Sequence, residues 1–274
     1  MTATLSWAGI ARLGLVQSAI GAVVMLASSL LNRVMVVEYN QAAALPAGLV
    51  AFHYAVQLSR PKWGHGSDSG WRRTPWIICG MAVLAAGGVL ATEATIMLKG
   101  PFGPALALSI LAYAMIGLGV GAAGTSLLAL LATRTAEARR PAAASLTWIM
   151  MILGIVVTAG IAGKLLEPFS PERLLQVAIG VAGAAFLVAC LGVIGIEGPN
   201  APMAEKPAGP PVAFGEALRG YVVLRTGMNS SHEELATHCR QTLAGYKVPK
   251  DFRFIAALPR NAGGKVLKKD LRDG

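Results

Sequence analysis

The chain has 274 residues, of which 54% are hydrophobic and only 14% charged, and its mean hydropathy is +0.57. Because an ordinary soluble domain carries about 25% charged residues, this composition excludes a purely soluble fold and indicates a protein embedded in a lipid bilayer. The formal net charge is +10, but ten of the 24 Lys and Arg residues follow residue 220, and most of the others lie in short loops between apolar runs. That distribution is typical of membrane topology rather than of a surface that follows phosphates, so we expect no nucleic-acid partner.

Apolar runs long enough to cross a bilayer as helices dominate the chain up to residue 196. There are six of them, at residues 13–31, 42–58, 76–98, 104–132, 146–166 and 174–196. The predicted fold is therefore an all-α membrane protein with a six-helix transmembrane bundle over residues 1–196. Since the first run lacks a small-residue cleavage site, we expect it to be a retained helix rather than a signal peptide.

Basic residues alternate between the two sides of these runs. One side carries Arg12, Arg60, Lys62, Arg72, Arg73, Arg134, Arg139 and Arg140. The other side carries Arg33, Lys99, Lys164 and Arg173, together with Glu38, Glu93, Glu167 and Glu172. The positive-inside rule then predicts a multi-pass membrane protein with both termini in the cytoplasm.

Two patterns that often mark binding sites carry no such prediction here. The glycines of residues 117–124 have the spacing of a dinucleotide fingerprint, but no strand precedes them and they lie in the middle of an apolar run. Small residues in such a helix instead allow close helix packing, and we expect the same of Gly154, Gly160 and Gly163. The cysteines at positions 79, 190 and 239 are far apart and lack metal-ligand spacing, so no metal site is predicted.

A polar loop, WGHGSDSGWRRTPW at residues 63–76, separates the second and third runs. Its spacing resembles the loop between helices two and three of the major facilitator superfamily, with matches at Gly64, Asp68, Arg72 and Arg73. Two positions depart from the pattern, because Ser69 stands where a basic residue is usual and Trp71 where glycine is usual. The resemblance implies that this loop organises the bundle from the cytoplasmic side.

The neighbouring residues 31–38, 53–61 and 72–77 resemble the PucC-like bacteriochlorophyll delivery branch of that superfamily. The resemblance covers about residues 10–220, which corresponds to the first six of the family's twelve helices, and it predicts a truncated bundle. It implies a factor that delivers bacteriochlorophyll as cargo, without a tightly bound cofactor, in the inner or intracytoplasmic membrane of a phototrophic bacterium. Its implied partners are the bilayer and light-harvesting antenna or reaction-centre subunits.

Three polar residues within or beside the first two runs are candidates for contact with pigment or substrate. The neutral imidazole of His53 could coordinate a chlorin magnesium, and the alternative is packing or hydrogen bonding within the bundle. Arg33 and Glu38 are rare charges in or near the membrane, for which substrate contact and a structural role inside the bundle both remain open.

Composition changes after the sixth run. Residues 197–220 are rich in Pro and Gly and predict a cytoplasmic linker. Residues 221–274 predict a small soluble α/β fragment with strands at 221–224 and 252–258. Overlapping capping boxes in residues 230–234 predict the start of a helix that ends near residue 244. A final helix is predicted at residues 266–272.

The tail contains LAGYKVPK at residues 243–250 and LPRNAGGKVL at residues 258–267. These motifs resemble the C-terminal end of acyl-CoA synthetases and other adenylate-forming enzymes, over about residues 221–272. In that family the lysine matching Lys265 stabilises charge during adenylation. Because the chain contains no sequence resembling the large ATP- and acid-binding domain, we expect no catalytic residue and no enzyme activity.

The two resemblances meet near Gly220, and either a natural fusion or an accidental join explains them. Three functions remain as hypotheses. The first is a PucC-like factor for bacteriochlorophyll delivery and antenna assembly. The second is half of a small-solute transporter that needs a partner half or a homodimer, and the third is an inactive acyl-CoA synthetase fragment.

Overall fold

The computed structural model describes residues 4–61, 72–197, 219–224, 227–242, 248–249, 251–260, 266–267 and 270–271. The chain separates into two compact units, Met1–Lys206 and Pro207–Gly274, which we call the membrane unit and the tail unit. The finer division at residues 196 and 220 stays a prediction.

The described part of the membrane unit is helical. Its main helices are α1 (Trp7–Glu38), α2 (Ala44–Val56), α3 (Arg73–Met97), α4 (Phe102–Arg134), α5 (Arg140–Leu165) and α6 (Pro171–Val193). Two π-helical stretches, Leu26–Leu30 and Val34–Glu38, lie within α1, and a 3₁₀ turn, Gln57–Ser59, follows α2. Another, Glu137–Arg139, leads into α5.

Five of the described helices are long and apolar enough to cross a bilayer, namely all of these except α2. The second predicted run forms α2, which has 13 residues and is shorter than the others. The prediction of membrane-spanning helices is therefore confirmed for five of the six runs.

Local sequence explains where several helices begin. Ser6 caps α1 by accepting a hydrogen bond from the Gly9 amide at 3.2 Å. Ser170 caps α6 in the same way from the Arg173 amide at 3.1 Å. Pro171 then occupies the first position of α6, where its missing N–H costs no hydrogen bond, and α5 likewise has a proline in its first turn.

Glycines bring the backbones of neighbouring helices together in the core. A Cβ atom on Gly119 would lie 2.6 Å from the Leu84 nitrogen, and one on Gly80 would lie 2.6 Å from the Ala123 nitrogen, so α3 and α4 pack closely along their lengths. On the other side of the unit, a Cβ on Gly154 of α5 would lie 2.6 Å from the Ser18 carbonyl oxygen of α1. The predicted role of small residues in helix packing holds at these positions.

Gly160 and Gly163 behave differently. Each has open space where a Cβ atom would be placed, so the prediction that they mediate close packing is wrong. Both lie on α5, most of whose surface is not covered by the rest of the unit.

The tail unit contains a two-stranded parallel sheet of β1 (Arg219–Val222) and β2 (Asp251–Phe254), in which Gly220 pairs with Phe252. Helix α7 (His232–Thr242) lies between the strands in sequence. It begins with the predicted capping box, because the Glu234 amide donates to Ser231 Oγ at 3.2 Å and the Ser231 amide donates back to Glu234 Oε2 at 3.0 Å.

The strand positions differ from the sequence prediction. Strand β1 begins two residues earlier than expected, inside the predicted linker, and β2 ends at Phe254 rather than near residue 258. Val266 forms an antiparallel bridge with Arg260, and Asp270 and Leu271 form a turn, so the helix predicted over residues 266–272 is wrong at its described residues. Backbone pairing between Arg260 and Val266 replaces helix formation at the start of this segment.

Candidate functional site

Of the polar loop at residues 63–76, the structure describes only residues 72–76. Gly64 and Asp68 lie outside the described residues, so their predicted role stays a prediction. Arg72 is exposed directly before α3, and Arg73 is the first residue of that helix. The Arg73 guanidinium donates through Nη1 to Thr133 Oγ1 at 2.6 Å and to the Ala129 carbonyl at 3.2 Å, which ties the start of α3 to the end of α4.

Glu197 also contacts the start of α3, although the sequence pattern placed it in the linker and predicted no role for it. Its carboxylate accepts hydrogen bonds from the amides of Arg73 at 3.1 Å and Thr74 at 2.8 Å. These amides belong to the first turn of α3, where intrahelical partners are missing and a negative charge is favoured by the helix dipole. The signal in the sequence was a single acid after the last apolar run, on the side that carries most of the basic residues.

The environment of Glu197 keeps its carboxylate ionised. Burial alone would raise the pKa of Glu197. Hydrogen bonds from Thr74 and Arg73, with the positive charge of Arg134, outweigh burial and hold this pKa below its ordinary value.

Two further contacts bring other helix ends to the same place. The Leu5 amide donates to the Arg134 carbonyl at 2.8 Å, so the start of α1 lies beside the end of α4. The guanidinium of Arg12 donates to the carbonyls of Leu191 at 3.0 Å and of Ile194, at the end of α6. We call this end of the membrane unit the arginine end.

An aromatic cluster marks the opposite end. Tyr39, directly after α1, packs edge-on against Phe169 with ring centroids 6.1 Å apart. The ammonium group of Lys99, just beyond α3, lies 5.3 Å from the centroid of the Tyr39 ring. We call this end the tyrosine end, and α1 and α3 both run from the arginine end to the tyrosine end.

His53 is buried between α2 and α4, with only 1% of its surface exposed. Its Nδ1 donates to the Val50 carbonyl at 2.7 Å, so the neutral ring carries its lone pair on Nε2. That nitrogen has no accessible surface and no hydrogen-bond partner among the described residues. A Cβ on Gly117 would lie 2.6 Å from the His53 carbonyl oxygen, so α4 closes tightly over this position.

This geometry favours one of the two interpretations of His53. A chlorin magnesium needs an open approach to a ring nitrogen, and Nε2 of His53 is buried in the described structure. The arrangement supports packing within the bundle, while pigment contact stays a prediction.

Arg33 and Glu38 lie in the last part of α1 and are both exposed in the membrane unit. Neither side chain points into the interior of this unit, so the structure does not bring them together with His53 as one site. Glu38 influences the titration of the neighbouring Tyr39. Burial is the main cause that raises the pKa of Tyr39, and the negative charges of Glu38 and Glu172 raise it further.

An open groove of about 780 Å³ lies between α5 and α6, with α1 as its floor. Most of its lining is small or aliphatic, including Ala22, Gly154, Val157, Gly180 and Ala184. Charged side chains, those of Lys164, Glu167 and Arg173, line it where α5 ends and α6 begins. We call it the α5–α6 groove.

The predicted adenylation lysine, Lys265, lies outside the described residues. The described part of the tail unit forms one ion pair that links its strands, between Arg219 Nε and Asp251 Oδ2 at 2.8 Å. Within the described ranges of the whole chain, no cluster of three or more His, Cys, Asp or Glu side chains could hold a metal ion.

Comparison with known proteins gives different results for the two parts of the chain. Residues 210–265 match the model of the AMP-binding enzyme C-terminal domain. A long-chain-fatty-acid–CoA ligase of Yersinia pestis is 48% identical over 59 residues, which cover 22% of this chain and 10% of the ligase. The tail is thus similar to a small part of such ligases.

The larger part has relatives in photosynthetic bacteria. The bacteriochlorophyll synthase 44.5 kDa chain of Rhodobacter capsulatus is 55% identical over 194 residues, covering 71% of this chain and 45% of the relative. Protein PucC of Cereibacter sphaeroides is 30% identical over 223 residues, covering 77% of this chain and 48% of that protein. The chain therefore spans about half the length of these curated relatives.

The model of the PUCC protein family matches residues 30–222. This match begins within α1, includes α2 to α6 and ends with β1. With helices of membrane-spanning length in that segment, the chain is a multi-pass bacterial membrane protein. It belongs to the PUCC protein family.

Proposed function

We propose that this chain acts in the delivery of bacteriochlorophyll and the assembly of light-harvesting antenna complexes in a phototrophic bacterium. The observation that carries the proposal is the family match over the helices of the membrane unit, joined by a relative whose name associates it with bacteriochlorophyll. Because the chain spans about half of its relatives, the activity of the whole protein is part of the proposal.

The mechanism is non-covalent shelter of a pigment or of a pigment-binding helix. Helix α5 offers the apolar surface for it, since five large side chains repeat along one side and are each 52–63% exposed, namely Trp148, Ile149, Ile152, Leu153 and Val156. Their spacing of one, three and four residues makes a continuous stripe on a helix. Antenna subunits that present an apolar helix fit this stripe.

A spectrum of the detergent-purified protein from a phototrophic host tests the proposal. We expect bacteriochlorophyll absorption to elute with the protein. Replacing Leu153 and Val156 with Ala should lower the pigment-to-protein ratio, because both lie on the stripe. The matched control replaces Leu187 and Leu191, which are 62% and 68% exposed on α6, and should keep the ratio. Pigment-free protein from a host with normal antenna complexes contradicts the proposal.

The membrane unit crosses the bilayer six times, as an N-terminal half of a major facilitator fold. Support comes from the helix ends, because α1 runs from the arginine end to the tyrosine end and α3 begins again at the arginine end. The chain between them must return, and it contains α2. The helical residues 44–61 span about 27 Å at 1.5 Å per residue, close to the roughly 30 Å of a hydrocarbon core. Both termini of the bundle then face the cytoplasm, as the basic residues indicate.

Cysteine labelling tests this topology. In a variant whose three native cysteines are replaced by alanine, Ala42→Cys and Ala138→Cys place one exposed thiol in the α1–α2 connection and one before α5. A maleimide that cannot cross membranes should label position 42 from the periplasmic side, and position 138 only after the membrane is opened. Labelling of both positions from one side rules out the six-span topology.

The tail unit has no adenylating activity of its own in this proposal. Its similarity covers about a tenth of a CoA ligase, and the ATP- and acid-binding domain of such ligases is not part of the match. Purified chain should therefore give no ATP–pyrophosphate exchange with fatty acids. Exchange above the level of a Lys265→Ala variant would overturn this part of the proposal.

A further inference from the structure

We infer that the α5–α6 groove binds a phospholipid with an anionic headgroup, a site that does not depend on the proposed pigment role. Its volume of about 780 Å³ lies within the roughly 300–1,000 Å³ of typical small-molecule pockets. Three helices form it, and its opening faces the surroundings of the unit rather than the packed core. A lipid therefore has direct access to it from the bilayer.

The length of the groove fits one leaflet. Its lining on α5 runs from Gly154 to Leu165, about 16 Å at 1.5 Å per residue, and its lining on α6 extends to Val188. A hydrocarbon core is about 30 Å thick, so this is roughly the depth of half a bilayer. The charged side chains lie where α5 ends and α6 begins, at the level of the headgroups of that leaflet.

Small residues make room for a hydrocarbon chain. Ala22 forms part of the floor on α1, Gly154 lies on the α5 wall, and Gly180 and Ala184 form part of the α6 wall. A Cβ atom at Gly180 would meet nothing within 4 Å, so the wall is open there. An acyl chain placed along this surface would contact aliphatic side chains of α5 such as Val157 and Ile161.

The charge at the rim selects the headgroup. Lys164 and Arg173 are cationic and Glu167 is anionic, which leaves one net positive charge at this end of the groove. Arg173 is held in place because its Nη1 donates to the carbonyls of Glu167 at 2.9 Å and Pro168 at 3.1 Å. The ammonium group of Lys164 has no polar partner within the part of the chain that the structure describes. A basic side chain near a membrane surface attracts the negative charge of an anionic lipid headgroup.

A magnesium chlorin is the other amphiphile to consider, and the rim distinguishes the two. A chlorin head carries no net charge, whereas a lipid phosphate supplies a negative charge that both cations can contact. Arg guanidinium groups also bind phosphate oxygens through paired hydrogen bonds. Charge complementarity therefore favours the phospholipid.

Native mass spectrometry of the full chain in detergent, with equal amounts of phosphatidylglycerol and phosphatidylcholine, tests the inference. We expect about fivefold more retained phosphatidylglycerol than phosphatidylcholine, the effect of one basic residue near a headgroup. Lys164→Gln should remove this preference, and the conservative Lys164→Arg should keep it. Equal retention of both lipids by the unsubstituted chain would overturn the inference.

Two glycine variants of α6 locate the lipid. Gly180→Leu fills the groove from an open position and should abolish the retained phosphatidylglycerol. Gly183→Leu is the matched control, since Gly183 is equally open but lines a separate, smaller groove between α3 and α6. Both variants should elute as folded protein with unchanged helical circular dichroism. Equal lipid loss from both, or displacement of added bacteriochlorophyll rather than phospholipid by Gly180→Leu, would contradict the assignment.

Discussion

Helices α4 and α5 are both long, apolar and rich in glycine, yet their surroundings are opposite. In the most apolar stretch of α4, 56% of the residues are buried inside the protein, compared with 11% for α5 and its leading turn. Gly117 and Gly119 of α4 contact backbone atoms of other helices, whereas Gly160 and Gly163 of α5 meet nothing. The same composition thus serves as a packing surface in one helix and as an open surface in the other.

Leucine substitution of matched glycines gives the largest test of this contrast. Gly119→Leu forces a side chain against the Leu84 backbone and should destabilise the unit by about 3 kcal/mol, the upper part of the range for overpacked cores. Gly160→Leu adds a side chain to open space and should leave stability nearly unchanged. Thermal unfolding in detergent measures both, and equal losses would show that α5 is also packed against protein at Gly160.

Glu197 extends the comparison to the arginine end, where it follows α6 and caps the start of α3. Glu197→Gln should cost about 1–2 kcal/mol, because a charged cap on two helix amides becomes a weaker neutral one. Glu137→Gln is the control, since Glu137 is exposed and precedes α5. Similar unfolding temperatures for the two variants would show that the Glu197 carboxylate does not stabilise the start of α3.

The pH dependence of stability follows from the same carboxylate. The pKa of Glu197 is lower in the folded protein than in the unfolded chain, so its contribution is fully present above the unfolded pKa of roughly 4.3. It is lost as pH falls through the folded pKa. As pH falls below about 4.3 the unsubstituted protein should therefore lose more stability than Glu197→Gln does. Parallel curves for the two proteins would contradict the assignment.

His53 gives the smallest expected change. His53→Leu keeps most of the buried volume and removes a ring nitrogen without a described partner, so stability should change by less than about 1 kcal/mol. If the imidazole only packs between α2 and α4, the pigment-to-protein ratio also stays the same. A folded variant that has lost its bacteriochlorophyll would instead support pigment contact.

The contrast between α4 and α5 also explains how far the sequence could predict this protein. Apolar run length predicted six membrane-spanning helices, since lipid forces the backbone to satisfy its own hydrogen bonds, and five of them have membrane-spanning length in the structure. Run length does not say which side of a helix faces protein, so Gly160 and Gly154 looked alike although only Gly154 contacts α1.

The sites were harder to predict because they depend on contacts between distant residues. Glu197 is 124 residues from Arg73 in sequence, and its composition-based assignment to a linker concealed the cap that it forms. The α5–α6 groove is formed by three helices whose positions no local pattern specifies. In the tail, the capping box at Ser231 was predictable because its residue types mark it, whereas no residue pattern marked the bridge from Arg260 to Val266.

Near-infrared absorption of intact membranes tests most directly whether the protein has the proposed role in bacteriochlorophyll delivery and antenna assembly. Membranes from the source bacterium should lose light-harvesting absorption when the gene is deleted and recover it when the chain is supplied again. Complementation with the Leu153 and Val156 alanine variant should restore less absorption than the Leu187 and Leu191 control. Unchanged antenna absorption in the deletion strain would contradict the account.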